Sequence, residues 1–228
     1  MIKAVIFDFD GVIANSEPLH FRAFRDVAAR HGLSLTEADY YNRYLGFDDV
    51  GAFTAMAEDQ QRPLTPSVVA ALVAEKAVHL EALEHRASVL FPGARAAIER
   101  MAAHGPIAIA SGALRAEIVR VLDRESLRHH FPVIVSAEDT PASKPDPAPY
   151  RLAVDRLASA SGVALAPGEC VAIEDSRWGL QSARDAGLRT VGITQSYDAS
   201  ALSNADTVIA HLDDFRPDAF DRWFADAP

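Results

Sequence analysis

Residues 3–20, KAVIFDFDGVIANSEPLH, hold the first core strand of the chain. Ala4-Val5-Ile6-Phe7 is an unbroken apolar run of strand length, the pattern of a buried strand. It ends in Asp8-Phe9-Asp10-Gly11, two carboxylates one residue apart followed by a glycine. Asp and Gly punctuate turns, so one reading is simply the end of a strand. The other is chemistry placed at the strand's mouth. The remainder of the chain decides between them.

Downstream the texture changes. EPLHFRAFRDVAARHG (17–32) spaces Leu19, Phe21, Phe24, Val27 and Ala28 along one helical face, with Pro18 suited to a first turn and Gly32 to a stop. DDVGAFTAMAED (48–59) and TPSVVAALVAEKAVHLEALEH (65–85) have the look of further helices, and no strand pattern falls between Ser16 and Ala87. From Val89 onward helical and strand patterns alternate: IAIA (107–110), PVIVSA (132–137), CVAIED (170–175) and RTVGIT (189–194) are the strands, with ADTVIA (205–210) a short last apolar segment. Alternating β and α units predict an α/β fold, a doubly wound, Rossmann-like parallel sheet. Strand one belongs to that sheet. The expected organisation is therefore a catalytic core of residues 1–15 and 88–228 with an all-helical domain, 16–87, inserted after the first strand.

Composition narrows the function. Of the 228 residues 49% are hydrophobic and 24% charged, the balance of an ordinary globular protein. A formal net charge of −10 argues against nucleic acid or an anionic membrane surface as the main partner, since both select basic patches. An acidic protein that handles an anion needs a local positive centre or a bound cation. The single cysteine, Cys170, excludes an intramolecular disulfide framework. No run reaches the ~20 apolar residues of a membrane span. With no basic-then-apolar leader ahead of the first strand, the expected location is cytoplasmic.

In doubly wound sheets ligands bind beyond the carboxyl ends of the strands. Each of these ends carries a candidate. IAIA runs into Ser111-Gly112 ahead of a helix, either a cap and turn or a cradle of hydroxyl and amides for an anion. VIVSA leads to Lys144, flanked by prolines that would hold its ammonium in place. CVAI ends in Glu174-Asp175-Ser176, either a helix cap or an oxygen-rich site for a hard cation such as Mg²⁺. Each has a bland alternative. Together, acids with Mg²⁺ plus Ser111 and Lys144 suit a dianionic phosphoryl group.

DFDGV (8–12), SG (111–112), KPDP (144–147) and EDS (174–176), in this order and with an early helical insertion, resemble the haloacid dehalogenase superfamily, in its capped phosphatase and β-phosphoglucomutase-like branch. The resemblance covers essentially the whole chain. It implies Asp8 as the nucleophile that becomes an aspartyl phosphate, and Asp10 as the general acid that protonates the leaving alkoxide and then activates water. It implies Ser111, Gly112 and Lys144 as phosphate-binding. Asp8, the main-chain carbonyl of Asp10, Asp175 and, close by, Glu174 would form the Mg²⁺ site. Dehalogenating and phosphonate-cleaving relatives lack the second acid, so Asp10 speaks against C–X and C–P cleavage.

In the inserted domain the same resemblance points to Ser16 and His20 near the hinge, to Gly46 and Phe47 in a specificity loop, and to Lys76 as a lysine reaching toward the core. The mutases carry an arginine in that loop for a second phosphate, whereas here it reads GFDDV (46–50). The expectation is a Mg²⁺-dependent phosphatase for a small phosphorylated metabolite, a sugar phosphate or phosphoglycolate, with no nucleic-acid or membrane partner and a monomer favoured. The alternatives are a phosphosugar mutase and, from another class, a phosphorylation-switched signalling module. The length and the helical insertion argue against the module, because a receiver is a single minimal domain.

Overall fold

The structure, a computed structural model, describes residues 1–44, 47, 49–84 and 88–224. The chain divides into two compact units, Met1–Asn15 with Leu90–Pro228, and Ser16–Val89.

The first unit is built on six parallel strands: β1 (Ala4–Phe7), β2 (Ile107–Ala110), β3 (Val133–Val135), β4 (Cys170–Glu174), β5 (Arg189–Ile193) and β6 (Thr207–Ile209), in the order β3-β2-β1-β4-β5-β6. Phe7 pairs with Ile109 on one side and Ile173 on the other, so β1 is the central strand. All four of its residues are buried, as an apolar run without alternation requires. Ala4 and Ile6 pack with Ala108, Ala172, Tyr150, Val154 and Leu157. Phe7 meets Phe131 and Phe215 edge-on at 6.1 and 5.9 Å. Burial of a ring of this size contributes about 1.5–3 kcal/mol.

Parallel strands need crossover connections, and helices supply them. They are α5 (Ala94–His104), α6 (Arg115–Arg124), α7 (Ala148–Ser161) and α8 (Arg177–Asp185), followed by the C-terminal α9 (Pro217–Trp223). The last turn of α7 closes on Gly162, whose φ of 68° is the left-handed geometry glycine accepts without strain. Ser176 caps α8 by accepting the Gly179 N–H at 3.1 Å. The apolar segment 205–210 forms the edge strand β6.

The regular elements of the second unit, among its described residues, are all helical: α1 (Glu17–Arg30), a single turn α2 (Glu37–Asp39) continued by a π-helical turn at 40–44, α3 (Asp49–Asp59) and α4 (Pro66–Glu84). Ala23, Phe24, Val27 and Ala28 are the buried stripe of α1, and the Phe24 ring packs at a tilt against Tyr40 and Phe53. Glu17 in the first turn and Arg30 in the last suit the helix dipole. Ser16 stands at the N-cap, but its side chain makes no cap hydrogen bond. Among the described residues no helix is long and apolar enough to cross a membrane.

Candidate active site

Strand order reverses at β1, with β2 and β3 on one side and β4, β5 and β6 on the other. In open parallel sheets that switch point is where a ligand crevice opens at the carboxyl ends. Asp8 is the first residue beyond β1, and its N–H donates to Ile173 O at 3.0 Å, so the main chain fixes it beside the end of β4. Glu174 closes β4 and Asp175 follows. The three carboxylates are buried, and each offers an oxygen within 4.8 Å of the others.

Lys144 joins the cluster from the loop after β3. Its Nζ lies 2.8 Å from Asp8 Oδ1 and 2.6 Å from Glu174 Oε1. The peptide bond between Lys144 and Pro145 is cis. Glu174 Oε1 also accepts from Tyr150 Oη at 2.7 Å, and Glu174 Oε2 from Ser176 Oγ at 3.3 Å. Tyr150, fully buried in the first turn of α7, lies outside the set expected from sequence. Two glycines make room for the acids: a Cβ on Gly11 (φ +78°) would collide with the Asp175 carboxylate, and one on Gly179 with that of Glu174.

The electrostatics follow from crowding. Burial first, and the nearby Asp8 charge second, push the Glu174 carboxyl up to about 7 and that of Asp175 up to about 6. Burial would lower Lys144, yet Asp8 and Glu174 outweigh it and hold the ammonium above its ordinary range. Three carboxylates against one ammonium leave a deficit of positive charge. Hard oxygen donors in a buried, over-anionic cluster fit a divalent cation of the Mg²⁺ type.

Asp10, two residues on, is exposed, and its side chain is not in the acidic cluster. Ser111 is buried at the end of β2, its Oγ accepting the Ala113 N–H at 3.1 Å. Ser111, Gly112, Thr140, Ser143 and Lys144 line a cleft of about 150 Å³ between the β2–α6 and β3–α7 loops. Leu114 N–H donates to Glu117 and Arg115 N–H to Glu138, so two of the helix-start amides are already occupied by acids. A Cβ on Gly112 would meet no protein atom within 4 Å, so this position faces open space at the cleft.

Within the helical unit Lys76 is buried at 2% exposure. Its Nζ lies 2.8 and 3.0 Å from the two oxygens of Asp49, 3.2 Å from His20 Nδ1 and 4.6 Å from the Phe24 ring centre. His20 and Ser16 are half-buried, and Phe47 is 52% exposed. Gly46 lies outside the described residues.

A hydrolase family model, haloacid dehalogenase-like hydrolase, matches residues 2–187. The chain belongs to this family of enzymes. It is 32% identical to a phosphorylated carbohydrates phosphatase of Thermotoga maritima over 212 residues, covering 91% of this chain and 93% of that protein. With a phosphoglycolate phosphatase of Yersinia pestis it shares 26% over 241 residues, 95% of this chain and 92% of the other. Its fold superposes on a β-phosphoglucomutase of Clostridium difficile with a TM-score of 0.75 at 20% identity, over 99% and 98% of the two chains.

Proposed function

We propose that the chain is a Mg²⁺-dependent phosphatase that hydrolyses a small phosphorylated metabolite, of sugar phosphate or phosphoglycolate type, through an aspartyl phosphate on Asp8. One observation carries the proposal: Asp8 and Glu174 share the Lys144 ammonium beside Asp175 at the switch point of the sheet. The phosphatase relatives support it.

Lys144 fixes Asp8 Oδ1, which leaves the other carboxylate oxygen to attack phosphorus in line with the leaving group. As the P–O bond breaks, Asp10 gives its proton to the departing alkoxide. In the second half Asp10 takes a proton from water as that water attacks phosphorus, which releases inorganic phosphate and regenerates Asp8. Ser111 Oγ and Lys144 Nζ hold the non-reacting phosphoryl oxygens. Asp8, Asp175 and the Asp10 carbonyl, with Glu174 behind them, would hold the Mg²⁺, whose charge screens the repulsion between the Asp8 carboxylate and the incoming phosphate. Glu174 mainly holds Lys144, since its Oε1 already accepts from both Lys144 and Tyr150. Selection of the leaving group is assigned to the inserted helical unit.

A mutase needs a cation for a second phosphate. Arg43 and Lys76 are the candidates to replace the missing arginine, and each is engaged with acids of its own unit. Arg43 lies on Asp59 at 2.5 Å and Lys76 on Asp49 at 2.8 Å. Hydrolysis is therefore favoured over isomerisation. The test is phosphate release over a panel of phosphomonoesters with Mg²⁺, including β-glucose 1-phosphate with and without glucose 1,6-bisphosphate. Release from at least one monophosphate is expected, with little effect of the bisphosphate. Absence of release from the whole panel, or isomerisation outpacing release, would overturn the reading.

A further inference from the structure

The phosphoryl-binding groups assigned above, Ser111 and Lys144, both stand on loops rather than strands, and loops hold their shape only as well as their own bonds allow. A fixed hub ties these two loops together. Asp139, five residues before Lys144, has a side chain only 14% exposed. Its Oδ2 accepts from Ser136 N–H at 2.8 Å, from Ser136 Oγ at 2.7 Å and from Arg115 Nη2 at 2.5 Å. Its Oδ1 accepts from Arg156 Nη1 at 2.7 Å.

Arg115 starts α6, four residues after Ser111, so the Arg115–Asp139 pair runs from the Ser111 loop to the Lys144 loop. Two further bonds run the same way: Arg115 N–H donates to Glu138 Oε2 at 2.8 Å, and Ala137 N–H to Ala113 O at 3.0 Å. Arg156 belongs to α7, whose first turn carries the Tyr150 that holds Glu174. Burial alone would raise the Asp139 carboxyl, but Ser136 and the two arginines hold it well below the usual carboxylate range. Its charge is therefore constant across working conditions. The cleft lined by Ser111, Gly112, Thr140, Ser143 and Lys144 opens between the two loops so joined.

We propose that Asp139 is the positioning residue for the phosphoryl site: with Arg115 it sets the separation of the Ser111 and Lys144 loops, so that hydroxyl and ammonium meet one phosphoryl group together. This rests on the phosphatase reading of the site. Asp139 itself is not among the residues that line the cleft. Its effect passes through the loops, and it is felt as anion affinity because misplacement of a binding group by ~1 Å costs a large part of its contribution.

The test uses the full-length protein, p-nitrophenyl phosphate as substrate and inorganic phosphate as competitive inhibitor. Asp139→Asn keeps size and shape and removes the charge. The inhibition constant for phosphate and KM are expected to rise together by about tenfold, the equivalent of one charge-assisted hydrogen bond, with a smaller fall in kcat. Arg115→Met attacks the same link from the other loop and should give a similar rise. The double variant should fall short of the product of the two single effects, because both changes remove the shared Arg115–Asp139 pair. A phosphate inhibition constant unchanged in both single variants, with only the melting temperature lowered, would reduce Asp139 to a stabilising residue and overturn the inference. Failure of the wild-type protein to release or bind phosphate would instead overturn the phosphatase reading, and this inference with it, before any substitution is made.

Discussion

Lys144 Nζ and Glu174 Oε1 face each other at 2.6 Å, with the Glu174 side chain fully buried and that of Lys144 13% exposed. Without the ammonium, the donors left to Glu174 among the described residues are the hydroxyls of Tyr150 and Ser176, and Asp8 remains close to it. Breaking a buried pair from one side typically costs about 3–5 kcal/mol. Lys144→Met is expected to lose stability toward that scale in metal-free urea unfolding at about pH 8.5, where Glu174 is ionised in the wild type, and to lose phosphatase activity. Adding Glu174→Gln should return part of the stability and none of the activity. A Lys144→Met protein as stable as wild type at that pH would show that Glu174 does not depend on the ammonium.

The two aspartates of the first strand's mouth should separate by step. Asp8→Asn removes the attacking oxygen, and kcat is expected to fall by at least ~10³-fold, on the scale of nucleophile removal in other covalent enzymes. Asp10→Asn should still be phosphorylated by an aryl phosphate, whose leaving group needs little protonation, but should dephosphorylate slowly without a base for water. Mass spectrometry of that variant is expected to show one added phosphate. Normal turnover of an alkyl phosphate by Asp10→Asn would remove Asp10 from the acid/base role.

What the sequence makes legible here is set by distance along the chain. The strands are short apolar runs closed by polar residues, so β1 to β5 and the residues at their ends, Asp8, Ser111, Glu174 and Asp175, stand out from local pattern alone. Tyr150 does not, because its bond to Glu174 spans 24 residues and an aromatic in a helix's first turn reads as core. Asp139 is equally hidden, since in EDTPASKP it has the look of an ordinary turn residue. Its two arginines come from helices elsewhere in the chain. The turn at 37–44 escapes notice because one α-helical turn and a π-helical turn carry no 3.6-residue period. Lys76 looks like a lysine free to reach outward until Asp49, 27 residues away, is placed on it.

Gly179 gives a prediction whose sign runs against helix propensity. It lies in the first turn of α8, where Ala would ordinarily stabilise by up to ~1 kcal/mol. Here the added methyl group would overlap the Glu174 carboxylate, which is held by Lys144 and Tyr150 and cannot swing aside. Gly179→Ala is therefore expected to destabilise by about 1–3 kcal/mol, the usual range for overpacking. Activity should fall as Lys144 is displaced. Thermal melts beside a Ser161→Ala control on exposed α7 surface provide the measure, and a stabilised Gly179→Ala would contradict the packing described.

The acidic cluster should also make stability depend on pH and Mg²⁺ together. Glu174 is raised from 4.5 to about 7 and Asp175 from 3.8 to about 6, with burial the larger cause and Asp8 the second. Between those limits the native state holds protons that the unfolded chain has released, so ν_U − ν_N is negative and stability falls as pH rises. For the metal-free protein this contribution is fully present below about pH 4 and lost progressively up to about pH 7. On the proposed reading Mg²⁺ is held by the ionised carboxylates and must displace the same protons, so its effect should run the other way. At a concentration of 100 times its dissociation constant it adds about 2.7 kcal/mol to the native state. That gain should be small near pH 5.5 and complete above about pH 7.5, where the cluster is ionised. Melting curves in EDTA and in excess Mg²⁺ across this range give the comparison. Glu174→Gln should flatten the metal-free slope, since its amide does not titrate. A Mg²⁺ stabilisation of equal size at both ends of the range would mean that the carboxylates are ionised throughout and that burial does not govern their protonation.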